Sequence, residues 1–178
     1  MTSAATKARV ATVWLDGCSG CHMSFLDLDD AVAQVAAKAD IVYGPLVDAQ
    51  DFPEDVDLTL VEGAVSSEDD LRQIQKIRKR TKVLVALGDC AVTGNVPAMR
   101  NTVPTQRLLD RVYGNGASAR LFREGVPRLL DQAVPLHQVV KVDAHIPGCP
   151  PPPGAILQAL VDLLAGRKPD LTTMVKFG

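Results

Sequence analysis

The sequence predicts an α/β fold in which helices cover both faces of a parallel sheet of about five strands. Three observations lead to this class. Short apolar runs alternate along the chain with amphipathic segments, which is typical of repeated strand–helix units. The run KVLVAL at 82–87 is apolar after its opening lysine, as expected for a strand buried on both faces. The chain has 178 residues, 47% of them hydrophobic, so it can bury a core of its own.

The predicted strands follow one another along most of the chain, at residues 9–15, 40–43, 57–62, 82–87 and 138–146. A helix is predicted after the first strand, because apolar residues recur there at intervals of three and four: Phe25, Leu28, Val32, Val35 and Ala39. Ser24 and Asp27 predict a capping box at its start.

The helix after the third strand has clear signals at both ends. Ser66 and Ser67 offer N-caps, and acidic residues at 68–70 fill the first turn. The last turn is basic, with Lys76, Arg78, Lys79 and Arg80. This charge order suits the helix dipole. A final helix is predicted over 155–165, and Gly166 is placed to end it.

The stretch 88–135 lacks this regularity, since glycines and prolines interrupt it. Only short helical pieces are predicted, around 105–113 and 126–133. Connections longer than about 12–15 residues are uncommon in compact domains and are usually functional. We therefore expect this stretch to dock against a partner.

Five strands separated by helices predict a flavodoxin-like, doubly wound topology. No repeat or linker is visible, so a single domain over 1–178 is expected, with residues 1–8 flexible. The formal charge of -2 gives no basic footprint for nucleic acid, and no apolar run is long enough to span a membrane. The first residues contain no apolar export signal, which predicts a cytoplasmic protein.

Four cysteines follow the ends of predicted strands. Cys18 and Cys21 follow the first strand, Cys90 the fourth and Cys149 the fifth. Because ligands gather at the carboxyl ends of parallel strands, we expect these thiols to converge on one edge. Four converging thiolates are typical of zinc or of an iron–sulfur cluster.

Other interpretations of the cysteines remain open on spacing alone. A Cys-x-x-Cys that opens a helix is also typical of thiol–disulfide oxidoreductases, in which case Cys90 and Cys149 are unrelated core thiols. A structural zinc site usually has two Cys-x-x-Cys pairs, whereas here the second pair is split between loops. The Cys149-Pro150 step matches the end of ferredoxin cluster motifs and favours a cluster.

A more specific resemblance is carried by four motifs in order: CSGC at 18–21, EG at 62–63, GDCAVTG at 88–94 and PGCPP at 147–151. Together they resemble the small subunit of nickel–iron hydrogenases, from about residue 9 to 166. The related complex I subunit shares the fold but typically has adjacent cysteines. Membrane-bound and periplasmic small subunits carry a twin-arginine signal and two further clusters. This sequence has neither the signal nor the extra cysteines, so it is similar to the short small subunit of cytoplasmic, bidirectional NAD-reducing hydrogenases.

The resemblance implies that Cys18, Cys21, Cys90 and Cys149 bind one [4Fe–4S] cluster, which passes electrons between two partners. One partner is a large subunit with the nickel–iron centre. The other is a diaphorase module with FMN and further clusters, which reduces NAD+. A complex I-like subunit, or a hydrogenase with another acceptor, is the remaining alternative within this resemblance.

Three further expectations concern the cluster edge. FMN in this subunit is left open, because Cys18 and Cys21 occupy the loop that holds phosphate in a flavodoxin. Glu62 is a candidate for an interface hydrogen bond on a proton route, or for a carboxylate that caps a neighbouring loop. His22 is expected to lie at the surface or to support a neighbouring ligand, and Trp14 to lie in the core.

Overall fold

The computed structural model describes residues 7–116, 120 and 125–177. Within them the strands are β1 Ala8–Trp14, β2 Ala39–Tyr43, β3 Val56–Glu62, β4 Val65–Ser67, β5 Thr81–Leu87, β6 Leu129–Val134 and β7 Ala144–Ile146. The helices are α1 Gly20–Leu26, α2 Asp30–Lys38, α3 Glu68–Arg80, α4 Gly88–Thr93, α5 Asn95–Ala98, α6 Thr105–Tyr113 and α7 Pro153–Leu164. Short 3₁₀ helices lie at Met99–Thr102 and Leu136–Gln138. Of the start predicted to be flexible, residues 1–6 lie outside the described residues, and Ala8 already belongs to β1.

One five-stranded parallel sheet organises the fold, with the strand order β2-β1-β3-β5-β7. When only these strands are counted, this is the flavodoxin-like order 2-1-3-4-5, as predicted. The strand ends lie in register: Trp14 pairs with Glu62, Glu62 with Leu87, and Leu87 with Ile146. Four strands therefore reach their carboxyl ends in one row, and the loops that follow them emerge side by side.

Helices cover both faces of this sheet and bury two apolar cores. Leu60 and Val61 are neighbours in β3, and they are fully buried on opposite faces. The first core receives side chains from α1, α2 and α7, among them Phe25, Val35 and Ile156. The second core receives Ile74 and Ile77 from α3. No helix in the described part of the chain is both long and apolar enough to cross a membrane.

Helix α3 begins and ends as its sequence signals predicted. The Ser67 hydroxyl accepts the backbone N–H of Asp70 at 3.1 Å, and the Asp70 carboxylate accepts the backbone N–H of Ser67 at 2.9 Å. This reciprocal pair is a capping box, with aspartate in the place of glutamate. The last helix also agrees, since Gly166 follows its end with a φ of +71°.

The predicted helical piece at 126–133 is wrong, because β6 is a strand in this region. It pairs antiparallel with β4 and forms a small second sheet. Asn101 stabilises the extended conformation by exchanging two hydrogen bonds of 2.8 Å with the backbone of Ala133. These partners are distant in sequence, so local pattern did not reveal them. The predicted piece at 105–113 matches α6.

The last predicted strand, 138–146, is correct only for its final three residues, which form β7. Asp143 explains the late start. Its carboxylate accepts the backbone N–H of Leu84 at 2.9 Å, and its own N–H donates to the Leu84 carbonyl oxygen at 2.8 Å. The Asp143 side chain thus accepts the hydrogen bond from the Leu84 N–H of β5, which the backbone of a longer β7 would otherwise accept.

The single helix predicted after the first strand is two helices, α1 and α2, with a break at 27–29. Asp29 adopts a positive φ of 47°, which interrupts the helical path. The predicted capping box at Ser24 and Asp27 is also wrong, because α1 begins earlier and Ser24 lies inside it. The Ser24 hydroxyl instead donates to the Pro151 carbonyl oxygen at 2.5 Å.

At the amino ends of the strands, Asp57 ties the three central strands together. Its carboxylate accepts the backbone N–H of Arg9 on β1 at 2.8 Å and the Lys82 ammonium on β5 at 2.7 Å. These two hydrogen bonds hold the pKa of Asp57 below its ordinary value, and the bond from Arg9 has the larger effect. The ionised carboxylate is therefore the form that the folded chain favours.

We expect Asp57→Asn to destabilise the chain at neutral pH, because the amide loses the charge that both donors favour. A depressed pKa contributes stability that is present above the unfolded value of about 3.9 and is lost as pH falls through the folded value. The difference from the wild type should therefore shrink below about pH 4. Urea unfolding across this pH range measures it.

The control is Asp27→Asn, which changes an exposed carboxylate between α1 and α2. This control should change the unfolding free energy little at any pH, as is usual for surface substitutions. Equal destabilisation by Asp57→Asn at both ends of the pH range would contradict the electrostatic explanation.

Candidate metal centre

The four cysteines follow the row in which the central strands end. Cys18 lies exposed between β1 and α1, and Cys21 is buried in the first turn of α1. Cys90 lies half-buried in α4, and Cys149 lies exposed after β7. The chain advances three residues from Leu87 to Cys90, and again three from Ile146 to Cys149. The thiols are thus brought to one edge of the sheet.

These thiols are close enough to influence one another's ionisation. Burial is the largest cause of the raised pKa of Cys21, and Glu62 and the other three cysteines raise it further. Burial also raises the pKa of Cys90 to about 11, and the charges of Cys149 and Cys18 add to the effect. Four thiolates here would repel one another in a partly dry space. A positively charged metal group would relieve that repulsion.

Gly88 provides the space in which the sulfur of Cys21 lies. A Cβ on Gly88 would stand 2.2 Å from that sulfur and 3.4 Å from the carbonyl oxygen of Gly148. The φ of Gly88 is +79°, a conformation that glycine adopts without strain. Three cysteine-bearing loops therefore meet at Gly88, with no room for a methyl group.

Two contacts that the sequence did not predict hold these loops together. Asp89 is buried, and its carboxylate accepts the backbone N–H of Gly148 at 2.7 Å. Its own backbone N–H donates to the Gly148 carbonyl oxygen at 2.9 Å. The bond from Ser24 to Pro151 attaches α1 to the same loop. The sequence feature that could have indicated the role of Asp89 is its position in the GDC motif, directly before Cys90.

Backbone amides point at two of the sulfur atoms. The N–H of Gly20 donates to the Cys18 sulfur at 3.4 Å, and the N–H of Val96 donates to the Cys90 sulfur. Hydrogen bonds to cysteine sulfur are one of the means by which proteins tune iron–sulfur centres. This edge therefore offers polarised amides as well as thiols.

Glu62 is buried beneath the Cys-x-x-Cys segment, with 1% of its surface exposed. Its Oε2 atom accepts the backbone N–H of His22 at 3.0 Å and lies 2.5 Å from Nδ1 of the His22 ring. It thereby caps the first turn of α1, as one of the two interpretations of Glu62 expected. Its interface role stays a prediction. His22 is buried, so the expected surface position is wrong, and its support of a neighbouring ligand stays a prediction.

The Trp14 prediction is wrong, because 48% of this side chain is exposed. Trp14 is the last residue of β1, and its indole N–H donates to the carbonyl oxygen of Gly17 at 3.0 Å. The ring thus lies over the loop that leads to Cys18. Strand position alone did not show that the core ends before this residue.

The donor set that the fold brings to this edge consists of four thiols. Among the described residues, no group of three or more His, Cys, Asp or Glu is arranged to hold a single metal ion. A four-iron cluster makes a different demand, since each of its four cysteines binds a separate iron. The four cysteines match the number and type of ligands that such a group needs, and the group would supply one-electron transfer when bound.

Fold and site together define a class of α/β proteins with a cysteine-rich site at the carboxyl edge of a flavodoxin-like sheet. The family described as NADH ubiquinone oxidoreductase, 20 Kd subunit, matches residues 18–163, a range that includes all four cysteines. The chain belongs to this family.

Curated relatives are subunits of hydrogenases. The NAD-reducing hydrogenase HoxS subunit delta of Cupriavidus necator is 39% identical over 176 residues, covering 95% of this chain and 84% of that protein. A subunit of the F420-non-reducing hydrogenase vhu of Methanocaldococcus jannaschii is 38% identical over 171 residues. That match covers 94% of this chain, and this chain spans 59% of the length of that relative.

Solved structures agree with these relatives. A chain of an NAD+-reducing [NiFe]-hydrogenase in the H2-reduced state superposes with a TM-score of 0.89 at 35% identity, covering 97% of this chain and 100% of that chain. A chain of the [NiFeSe]-hydrogenase of Dm. baculatum gives a TM-score of 0.62 at 19% identity, covering 90% and 63%. The second likeness shows the fold alone.

We expect Gly88→Ala to abolish iron binding at this edge, because the new methyl group would overlap the Cys21 sulfur. Left-handed strain would also cost about 1–2 kcal/mol of folding free energy. Iron and acid-labile sulfide per chain measure the first effect, and urea unfolding of the metal-free chain measures the second.

The matched control is Gly166→Ala, at a φ of +71° with no atom within 4 Å of its added Cβ. This variant bears the same backbone strain without touching a cysteine. It should lose stability but keep its iron. Normal iron content in Gly88→Ala would show that the sulfur of Cys21 does not depend on this gap.

Proposed function

We propose that this chain is the electron-transfer small subunit of a cytoplasmic NAD-reducing nickel–iron hydrogenase. Cys18, Cys21, Cys90 and Cys149 hold one [4Fe–4S] cluster. Electrons pass through it between the nickel–iron site of a large subunit and a diaphorase module that contains FMN and further clusters and reduces NAD+. The chain has no hydrogenase activity alone.

The observation that carries this proposal is the meeting of the cysteine loops around Gly88. The loops before Cys90 and Cys149 exchange two hydrogen bonds through Asp89 and Gly148. The Cys21 sulfur occupies the space beside Gly88, in the loop before Cys90. The cysteine loops therefore support one another in the fold, which two unrelated core cysteines would not need.

The residues of this chain have separate tasks in the proposed relay. The thiolates bind the iron atoms, and burial of Cys21 keeps water away from one side of the site. The amides of Gly20 and Val96 donate to sulfur and stabilise its negative charge. Glu62 and His22 fix the first turn of α1, and so fix the position of Cys21.

NAD as the terminal acceptor is supported by the Cupriavidus necator relative, of which the chain covers 84%. The NAD+-reducing enzyme is also the structural match with the TM-score of 0.89. The likeness to that structure, at 35% identity, favours the NAD-linked enzyme.

The placement of Cys90 and Cys149 argues against a stand-alone disulfide oxidoreductase. Such an enzyme needs only its Cys-x-x-Cys pair, and its other cysteines can lie anywhere in the core. Here the loops that carry Cys90 and Cys149 are bonded to each other through Asp89 and Gly148, beside the Cys21 sulfur.

The irregular stretch 88–135 is proposed to dock on the large subunit, together with the edge that bears Cys18 and Glu62. Its described part exposes large apolar side chains, notably Val96, Met99, Val112 and Tyr113. Such a set of exposed apolar residues is typical of a protein interface.

We expect Cys90→Ser to lose the cluster as completely as Cys21→Ser does, because a hydroxyl is a poor ligand for iron in place of a soft thiolate. Anaerobic purification of the complex, followed by iron analysis and electron paramagnetic resonance of the reduced sample, measures the loss. H2-dependent NAD+ reduction by either complex should fall to background.

Cys90→Ser also distinguishes a cluster-binding subunit from a stand-alone disulfide oxidoreductase. A dithiol enzyme that uses Cys18 and Cys21 would keep its disulfide reductase activity when Cys90 is replaced. An iron-free wild-type chain, or a Cys90→Ser variant with an intact cluster spectrum, would contradict the proposed function.

A further inference from the structure

Two histidines that take no part in the cysteine site form a pair on the protein surface. His137 lies in the 3₁₀ helix Leu136–Gln138, and His145 is the middle residue of β7. Both residues are exposed. Their ring centroids are 6.4 Å apart, and the ring planes meet at 62°. The fold therefore brings together two imidazoles from separate elements of the chain.

No other side chain occupies the rings of this pair. Within the described part of the chain, neither His137 nor His145 forms a hydrogen bond or an ion pair with another residue. The third histidine of the chain, His22, is different, because it is buried and its Nδ1 lies 2.5 Å from Oε2 of Glu62. The pair therefore has ring nitrogens available for a ligand from solution, whereas His22 does not.

The spacing of the two rings suits a shared metal ion. Bonds between zinc and an imidazole nitrogen are about 2.0–2.1 Å long. When the distance from each nitrogen to its ring centre is added, two rings on one ion have centroids at most roughly 6.5 Å apart. The observed separation of 6.4 Å lies within this limit. Small rotations of the two exposed side chains would bring one nitrogen of each ring to the ion.

The surroundings favour the neutral imidazole, which is the form that binds metal. Partial burial, and then the charge of His137, lower the pKa of His145 below its ordinary value. Asp143 lies two residues before His145, but its Oδ2 atom already accepts bonds from Arg78 at 2.6 Å and from the N–H of Leu84 at 2.9 Å. The described residues contain no set of three such side chains around one ion, so water would complete the coordination here.

We propose that His137 and His145 form a surface site for one divalent transition-metal ion, held by one nitrogen of each ring and by water. Imidazole suits zinc, nickel and copper, whereas magnesium and calcium prefer oxygen ligands. The ion would join the segment after β6 to β7, an edge strand of the main sheet. It would therefore stabilise the strand that leads to Cys149, and it would do so whether or not a cluster is bound there.

Zinc titration of the anaerobically purified chain tests the site, with the double variant His137→Ala/His145→Ala as the measure of zinc taken up elsewhere. We expect each single variant to weaken zinc binding at the pair at least about tenfold, because it removes one of two protein ligands. Magnesium should not compete, since it demands oxygen ligands. Zinc should also raise the melting temperature of the wild-type chain more than that of the double variant, because a ligand stabilises the folded form that binds it.

The matched control is Gln138→Ala, which truncates an exposed side chain next to His137 in the same 3₁₀ helix. It should bind zinc within about twofold of the wild type, as expected of a surface substitution that removes no ligand. Without zinc, the histidine variants and the control should unfold at the same urea concentration as the wild type, because all of them replace exposed residues. A difference that appears only with zinc therefore reports the ion.

Equal zinc binding by the wild type and the double variant would overturn the proposal. Diffraction at the zinc absorption edge gives the position of the ion, and an anomalous peak between the two rings is expected. A peak at the cysteines alone would contradict the site, and so would an ion between the rings in crystals without any difference in affinity in solution. Iron content of the same samples tests the proposed function separately, because the histidine variants keep all four cysteines.

Discussion

The common row in which four parallel strands end is the constraint on which the rest of this structure depends. Trp14, Glu62, Leu87 and Ile146 are register partners across the sheet. Because parallel strands share a direction, a short advance beyond this row brings each loop to the same place. Cysteines as far apart in the sequence as Cys18 and Cys149 are therefore brought to one edge. Shifting the register of β5, for example, would displace Cys90 from the other three cysteines.

Buried carboxylates then fix the loops after the row. Glu62 and Asp89 are 1% and 3% exposed, and each accepts a backbone N–H from a cysteine-bearing segment. Buried carboxylates are tolerated when hydrogen bonds offset the loss of water. They also restrict the positions of the loops, because the donating N–H groups must lie within hydrogen-bond distance of the carboxylate oxygens. The site is therefore held by polar bonds inside the protein, and the apolar cores hold the sheet beneath it.

Much of this arrangement could be predicted from the sequence, because its strongest signals are local. Strands β1, β2, β3 and β5 and the ends of α3 carry apolar runs and capping residues within a few positions of themselves. Strand β4 was not predicted. Features that depend on distant partners could not be predicted in this way. Strand β6 exists through Asn101 and β4, and β7 is short because Asp143 bonds Leu84. The cysteines could be assigned to one edge because strand ends have local signals, whereas the ties through Ser24 and Asp89 join residues far apart in the chain.

The wide spacing of the four cysteines along the chain has a consequence for the order of assembly. Cys18 follows the first strand of the sheet and Cys149 follows the last, so their loops come together only after the long-range strand pairs have formed. Closing contacts between such distant parts of a chain is entropically costly and slow. In the proposed function, iron insertion at this edge would therefore be a late event that acts on a nearly finished fold. A cluster held by both ends of the chain would bind the folded state and not the unfolded chain, so its insertion would also stabilise the sheet.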